Sequence, residues 1–305
     1  MMISLIIPTK DRLSLLKQTL TYAQKALASF EHEIIIVNDS EEGLKLTNEI
    51  LSPEARVVKN PGQGVASARN YGASSARGKW LLFLDDDMLI QANNIQEVFS
   101  LAEQQPKACY NINWEYPATL KQKLPASQFG RFLNHYGFTS FEGWHKNGHW
   151  NSEKVFSVET VTSQFLFIRK DIFFGFDGYN ENFPFAGFED YDLARRLKQH
   201  QITIFIHPTT MAYHNEADRS VVDQWLARRK RGGETRQVAV RMGYSELTLH
   251  YGRLKSGLYQ MVLFKKQLLL KALNWVPNIE ALDRVYFFLV NLLYGAYVYE
   301  GYHEQ

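Results

Sequence analysis

The chain has 305 residues, 45% of them hydrophobic and 22% charged, which suits one or two domains of roughly 150 residues and excludes general disorder. Nine prolines and 19 glycines exclude collagen-like and low-complexity architectures, and the single cysteine, Cys109, excludes an intrachain disulfide and fits a reducing compartment. The formal charge of +2 is uneven: residues 219–271 carry twelve Lys or Arg against Asp223, Glu234 and Glu246, a local +9 that leaves −7 elsewhere. Such polarity is read either as a solvated helical face or as one end meeting an anionic partner.

The start has no basic n-region, and Pro8 cuts its apolar run short, so no cleaved signal peptide is expected and the expected location is the cytoplasm. Residues 4–8 (SLIIP) predict a buried strand. Residues 11–30 follow with helical spacing, Leu13, Leu16, Leu20 and Ala23 sharing a face. Residues 33–37 (EIIIV) form a continuous β-branched run, as a parallel strand buried on both faces requires. Residues 56–59 predict a third strand, 64–76 a small-residue helix closed by Gly78, and 80–84 (WLLFL) a fourth strand. Alternating strands and helices predict an α/β fold with a mostly parallel, Rossmann-like sheet. Residues 108–116 predict a strand, 133–152 a loop rich in Gly, Trp and His, and 155–168 one or two strands. A helix over 188–200, a strand over 202–206 and a turn at His207-Pro208 follow, and from Val221 onwards the pattern is helical. The expected division is 1–217 for the α/β domain and 218–305 for a basic helical extension.

The chemistry gathers at strand ends. The first strand runs into Pro8-Thr9-Lys10-Asp11, the second into Asn38-Asp39-Ser40, and the fourth into Asp85-Asp86-Asp87. In an open parallel sheet these ends share the edge where ligands bind. Carboxylates converging there repel one another unless a cation or hydrogen-bond donors neutralise them. If the fourth strand persists, Asp85 and Asp87 point to one face, a hard-oxygen half-site for Mg²⁺ or Mn²⁺, and Asp86 to the other. There is no Gly-rich phosphate cradle, so phosphate neutralisation falls to metal and basic side chains.

The stretches LIIPTKDR (5–12), IIVNDS (35–40), GVASARN (64–70) and FLDDD (83–87), with FAGFEDYDL (185–193), resemble family 2 glycosyltransferases of the GT-A fold over about residues 3–216. The resemblance implies transfer of a sugar from a nucleoside diphosphate sugar, expected to be a UDP-sugar, to a hydroxyl on a glycan or lipid-linked acceptor, with inversion, in polysaccharide or glycoconjugate synthesis. It implies Mn²⁺ or Mg²⁺ on Asp87 with Asp85, completed by His214. It implies donor contacts from Pro8, Thr9, Asp11, Asp39, Arg69, Asp85 and Asp86. Asp190 takes the role of catalytic base, and Trp144 and Glu189 are the candidate acceptor contacts. No nucleic-acid partner is expected. Lys10 stands where many members have an aromatic residue, and Thr162-Ser163 where many have two glycines. The helix start at Glu189-Asp190 is expected to lower the Asp190 pKa. His135, His145 and His149 lack tight metal spacing, while Trp144 and Trp150 suit either sugar stacking or anchoring. Two rival functions are a D-x-D phosphatase of haloacid dehalogenase type and a non-catalytic sugar-binding module.

Residues 285–299 form an apolar, aromatic run of fifteen, short of the ~20 that span a bilayer. A buried helix is the first expectation for this run. With the basic stretch before it, peripheral membrane contact through 219–305 is the second.

Overall fold

The apolar runs of the first half become strands buried on both faces. The computed structural model describes residues 2–44, 46, 50–145, 148, 150–217 and 221–304; Met1, His149 and Arg219, which figure in the reading above, lie outside these. Chain order gives β1 (Ile3–Thr9), α1 (Leu13–Leu27), β2 (His32–Asn38), β3 (Ala55–Lys59), α2 (Gly64–Ser75), β4 (Trp80–Leu84), a two-residue β5 (Met88–Leu89), α3 (Ala92–Gln104) and β6 (Ala108–Glu115). Then come α4 (Ala118–Lys121), α5 (Gln128–His135), α6 (Phe141–Trp144), β7 (Phe156–Val158), β8 (Phe165–Arg169), α7 (Lys170–Phe174), α8 (Phe188–Gln199) and β9 (Thr203–His214). Four helices close the chain: α9 (Val222–Arg241), α10 (Arg253–Phe264), α11 (Lys266–Trp275) and α12 (Asp283–His303).

Among the described residues the strands form one sheet in the order β3-β2-β1-β4-β8-β6-β9-β5, with β7 also paired to β9. β1 to β4, β6 and β9 run one way; β5, β7 and β8 run against them, so the sheet is mixed but mostly parallel, as expected. Alternating side chains of each strand reach opposite faces. Leu81 and Phe83 of β4 join Ala68 of α2, Phe173 of α7 and Leu193 of α8 in one core. Trp80 turns the other way and meets Phe99 of α3.

Three readings of the middle are corrected. The predicted turn at His207-Pro208 is a bulge inside the long strand β9: Ile112 pairs with His207 but Asn113 with Met211, because proline cannot donate to a ladder and the register skips past it. The predicted loop over 133–152 holds the end of α5 and the helical turn α6, capped by the Ser140 hydroxyl, which accepts from the Gly143 N–H at 3.0 Å. Helix α3 is an addition that the sequence reading lacked.

The chain divides into two compact units, residues 1–116 with 140–215, and residues 117–139 with 216–305. In the second, α9 and α12 lie against each other at glycine contacts: a Cβ on Gly301 would sit 2.0 Å from the Lys230 carbonyl oxygen, so only glycine admits this approach. Trp225 is buried among Phe129, Phe132 and Phe138, and Arg131 donates to both carboxylate oxygens of Asp283 at 2.7 and 2.6 Å. Val290, Leu293 and Ala296 are fully buried while Val285 and Phe288 are exposed, so the run 285–299 packs one face in the core and meets the first of its two expectations in part. No helix among the described residues is long and apolar enough to cross a membrane.

Candidate active site

The ends of β1, β2 and β4 come together because β1 lies between the other two in parallel register. Thr9, the last residue of β1, donates its hydroxyl to Asp86 Oδ2 at 2.7 Å. The strand β4 stops at Leu84, and the Met88 N–H donates to the Asp85 carbonyl at 3.1 Å, closing a turn. The expected pairing of Asp85 with Asp87 on one strand face is therefore corrected. Asp86 and Asp87 share Arg12, whose Nη1 lies 2.5 Å from Asp86 Oδ1 and whose Nη2 lies 2.6 Å from Asp87 Oδ2. Asp85 turns instead to Arg69, 2.8 Å away. Burial and the neighbouring Asp87 push the Asp86 carboxyl above the usual range, and Arg12 opposes them.

Arg12 is placed by the turn before it. Asp11 adopts a left-handed backbone (φ 57°), and its N–H donates to Ser40 Oγ at 2.8 Å, tying the end of β1 to the end of β2. Pro8 is the penultimate residue of β1. Asp39 accepts from Asn60 Nδ2 at 2.7 Å and from the Gly64 N–H that opens α2, with Lys10 Nζ 3.8 Å away. That carboxylate sits at a helix N-terminus, where negative charge is favoured.

The short strand β5 pairs with the end of β9, setting Met88 opposite His214 and so bringing Asp87 beside the imidazole. His214 Nε2 lies 3.3 Å from Asp87 Oδ1, and both side chains are buried. His214 Nδ1 lies 3.3 Å from the Gln164 amide, and Trp114 abuts the ring edge-on with centroids 4.8 Å apart. Glu216, two residues further along the chain, completes a trio whose ligand atoms all lie within 4.8 Å of one another. Two carboxylates and an imidazole are a fitting donor set for a divalent cation such as Mn²⁺ or Mg²⁺. Asp85 stands outside this trio, held by Arg69.

Helix α8 opens after Gly187, whose φ of 142° suits glycine. Its first turn presents Glu189 and Asp190. Glu189 is 1% exposed; one oxygen accepts from Arg69 Nη1 at 3.0 Å and the other from the Gly187 N–H. Arg69 is thus buried between Glu189 and Asp85, with its guanidinium over the Tyr179 ring. Asp190 accepts from the Ser163 N–H at 3.1 Å and from the Ser163 hydroxyl, whose oxygen also lies 2.6 Å from the Tyr179 hydroxyl. The expectation of a lowered Asp190 pKa is corrected: burial and the adjacent Glu189 raise it to about 7, outweighing Arg69 and the two Ser163 donors.

Trp144, on α6, is 48% exposed and stands edge-on to Trp114 at 4.9 Å, one ring removed from His214. Trp150 instead packs against Phe141, His145 and Phe156. His135 belongs to the second unit, against Phe287. The sequence reading gave no role to Arg12, Gln164, Tyr179 or Glu216, and treated Ser163 only as a departure from pattern. Ser163 precedes β8, whose antiparallel pairing with β4 sets Phe165 opposite Leu84 and returns the chain to the Asp85 turn.

The mostly parallel sheet with its acidic strand ends has the GT-A fold. The sequence model of glycosyl transferase family 2 matches residues 4–161, and the chain belongs to that family. An uncharacterised glycosyltransferase of Haemophilus influenzae is 28% identical over 204 residues, 65% of this chain and 62% of that protein. An O-antigen biosynthesis protein of Myxococcus xanthus is 25% identical over 224 residues, 70% of this chain. The chain spans 17% of that second protein's length, less than two thirds of either relative. A mannosyltransferase of Pyrobaculum calidifontis, solved with GDP-Man and Mn²⁺, shares the fold over 99% of this chain and 88% of its own, with a TM-score of 0.57 and 13% identity. GalNAc-T7, solved with UDP, GalNAc and Mn²⁺, matches 70% of this chain and 43% of its own, with a TM-score of 0.51 and 13% identity. The family match leaves neither the phosphatase nor the binding-module alternative favoured.

Proposed function

We propose that the chain transfers a sugar from a nucleoside diphosphate donor, with a UDP-sugar the first class to test, to a hydroxyl of a glycan or lipid-linked acceptor in cell-envelope polysaccharide or glycoconjugate assembly. The observation that carries the reading is the opposition of Asp87 and His214 at 3.3 Å, with Glu216 beside them, on the strand-end edge of a family 2 domain. Asp87, His214 and Glu216 hold the divalent cation, with Asp85 assisting directly or through water. When bound, the cation neutralises the leaving diphosphate. Thr9, Asp11, Asp39 and Asp86 line the donor side, where Asp39 meets the base and Asp86 the ribose. Arg69 fixes Asp85 there.

Asp190 acts as the base. An acidity near 7 suits a carboxylate that must take a proton at neutral pH. The acceptor hydroxyl passes its proton to Asp190, its oxygen bonds to the anomeric carbon, and the bond from that carbon to the diphosphate oxygen breaks. A single displacement of this kind inverts the anomeric centre. Trp144 offers an exposed ring face on which an acceptor sugar stacks.

The test is nucleotide release from a panel of UDP- and GDP-sugars with Mn²⁺, with and without candidate glycan acceptors. Asp190→Asn keeps the shape and removes the proton acceptor; turnover is expected to fall by ~10²–10⁴ with donor binding retained. Turnover unchanged in that variant would remove Asp190 from the mechanism. Binding of nucleotide without release from any donor would reject the transferase reading.

A further inference from the structure

Helices α10 and α11 turn large apolar side chains to water. On α10, Leu254 is 93% exposed and Phe264 88%, with Leu258 and Met261 between them at 41% and 57%. These four follow the spacing i, i+4, i+7, i+10, which is one helical stripe. On α11, Leu268 and Trp275, 58% and 78% exposed, stand two turns apart on one side. The inward contacts of both helices are made by other residues. Val262 and Leu273 are buried, and Tyr259 lies against Gly295 of α12, where a Cβ would come within 2.4 Å of its hydroxyl.

The charge around the stripe has one sign. Residues 247–279 contain no Asp or Glu and five Lys or Arg. Arg253, Lys255, Lys265 and Lys271 are exposed, and Lys255 lies over the Tyr251 and Tyr259 rings. A contiguous apolar patch facing water marks a docking surface. An apolar stripe flanked by lysines, with a tryptophan at its end, matches the headgroup region of an anionic bilayer, where acyl chains take the apolar side chains and lipid charge meets the lysines. Helices of 12 and 10 residues extend about 18 and 15 Å, too short to cross a hydrocarbon core of ~30 Å, so they lie in the surface.

We propose that α10 and α11 bind the surface of an anionic lipid membrane through Leu254, Leu258, Met261, Phe264, Leu268 and Trp275. This places the membrane contact on the two helices before the aromatic run 285–299, most of which is taken up in packing by α12. The proposal is independent of the sugar-transfer reading.

Flotation of the full chain with vesicles decides it. Binding is expected to phosphatidylcholine vesicles containing phosphatidylglycerol and not to pure phosphatidylcholine, and to be lost near about 1 M salt, where the Debye length falls to ~3 Å. Leu254→Glu with Phe264→Glu should weaken binding by at least about tenfold without lowering the melting temperature, since both side chains are already in water. The Trp275 emission should shift to the blue on anionic vesicles, and Trp275→Phe should abolish that shift. Failure to bind anionic vesicles at low salt overturns the proposal, as does binding that the double Glu variant leaves intact. A concentration-dependent dimer that the same variant dissolves, with no vesicle binding, would assign the stripe to a second copy instead.

Discussion

The Ser163 hydroxyl provides a direct handle on the proposed base. It donates to Asp190 and lies within hydrogen-bond distance of the buried Tyr179 hydroxyl, while the Ser163 backbone N–H makes a separate bond to Asp190. Ser163→Ala removes one of the two donors and leaves the other. A hydrogen bond to a charged group contributes about 1.5–3 kcal/mol, and one pKa unit corresponds to ~1.4 kcal/mol. The Asp190 carboxyl, already raised to about 7, should therefore rise by about one to two units further. The acid limb of kcat/KM, read as nucleotide release against pH, should move up by the same amount, with the rate above the limb little changed. Asp86, the other raised carboxyl at this edge, has no contact with Ser163, so a limb belonging to Asp86 would stay in place. The linkage to folding has a definite sign. The unfolded chain releases this proton near 3.8 and the folded chain near 7, so the site favours folding below the lower value and loses that contribution progressively as pH rises to the upper one. Ser163→Ala should extend that loss to higher pH. An acid limb that does not move would refute the assignment of the limb to Asp190.

Three further substitutions test the edge from other sides. Asp87→Ala should abolish Mn²⁺-dependent UDP binding in calorimetry with the fold retained; unchanged affinity in the presence of Mn²⁺ would reject the metal site. Arg12→Gln removes no proposed ligand but frees the carboxylates of Asp86 and Asp87, and should weaken cation binding by about 10–100-fold, the usual cost of losing a group that orients a ligand; full affinity would show that Arg12 orients nothing. Arg69→Met leaves Glu189 buried without its cation and should cost about 3–5 kcal/mol in urea unfolding at neutral pH, while adding Glu189→Gln should recover part of the loss. A single-variant cost below ~1 kcal/mol would mean that the buried pair contributes little.

The sheet was legible because its strands are continuous apolar runs, and such runs between turn residues have few alternatives. Residues 80–84 show it: the predicted and observed limits of β4 coincide. Helix α3 was missed although Ile95, Val98 and Ala102 carry a helical spacing. Its start is capped by a reciprocal pair, Gln91 with Asn94, instead of a Ser or Asp that would announce it. The extent of β9 was hidden by Pro208, which ends a strand by local rules but is accommodated here by a bulge. The division of Asp85 from Asp86 and Asp87 follows from the turn after β4 and the pairing of β5 with β9, a contact between residues more than a hundred apart. The raised acidity of Asp190 had the same kind of cause. The helix end was visible in sequence; the burial that raises the carboxyl was not.

The division of charge at this edge explains how a cluster of carboxylates stays folded and still offers ligands. Arg12 neutralises Asp86 and Asp87 from one side, and Arg69 neutralises Asp85 and Glu189 from the other. Arg12 stands at the start of α1, in the turn that follows β1, and Arg69 is carried in the middle of α2. The two oxygens of Asp87 have separate neighbours: Oδ2 is held by Arg12 at 2.6 Å, and Oδ1 faces His214 Nε2 at 3.3 Å. A cation bound by Oδ1 and the imidazole therefore need not displace the arginine, and the arginine fixes the direction in which Oδ1 points. Glu189 works through Arg69 in the same way and touches no open surface, which leaves its neighbour Asp190 as the carboxylate of this helix start suited to exchange a proton with an acceptor.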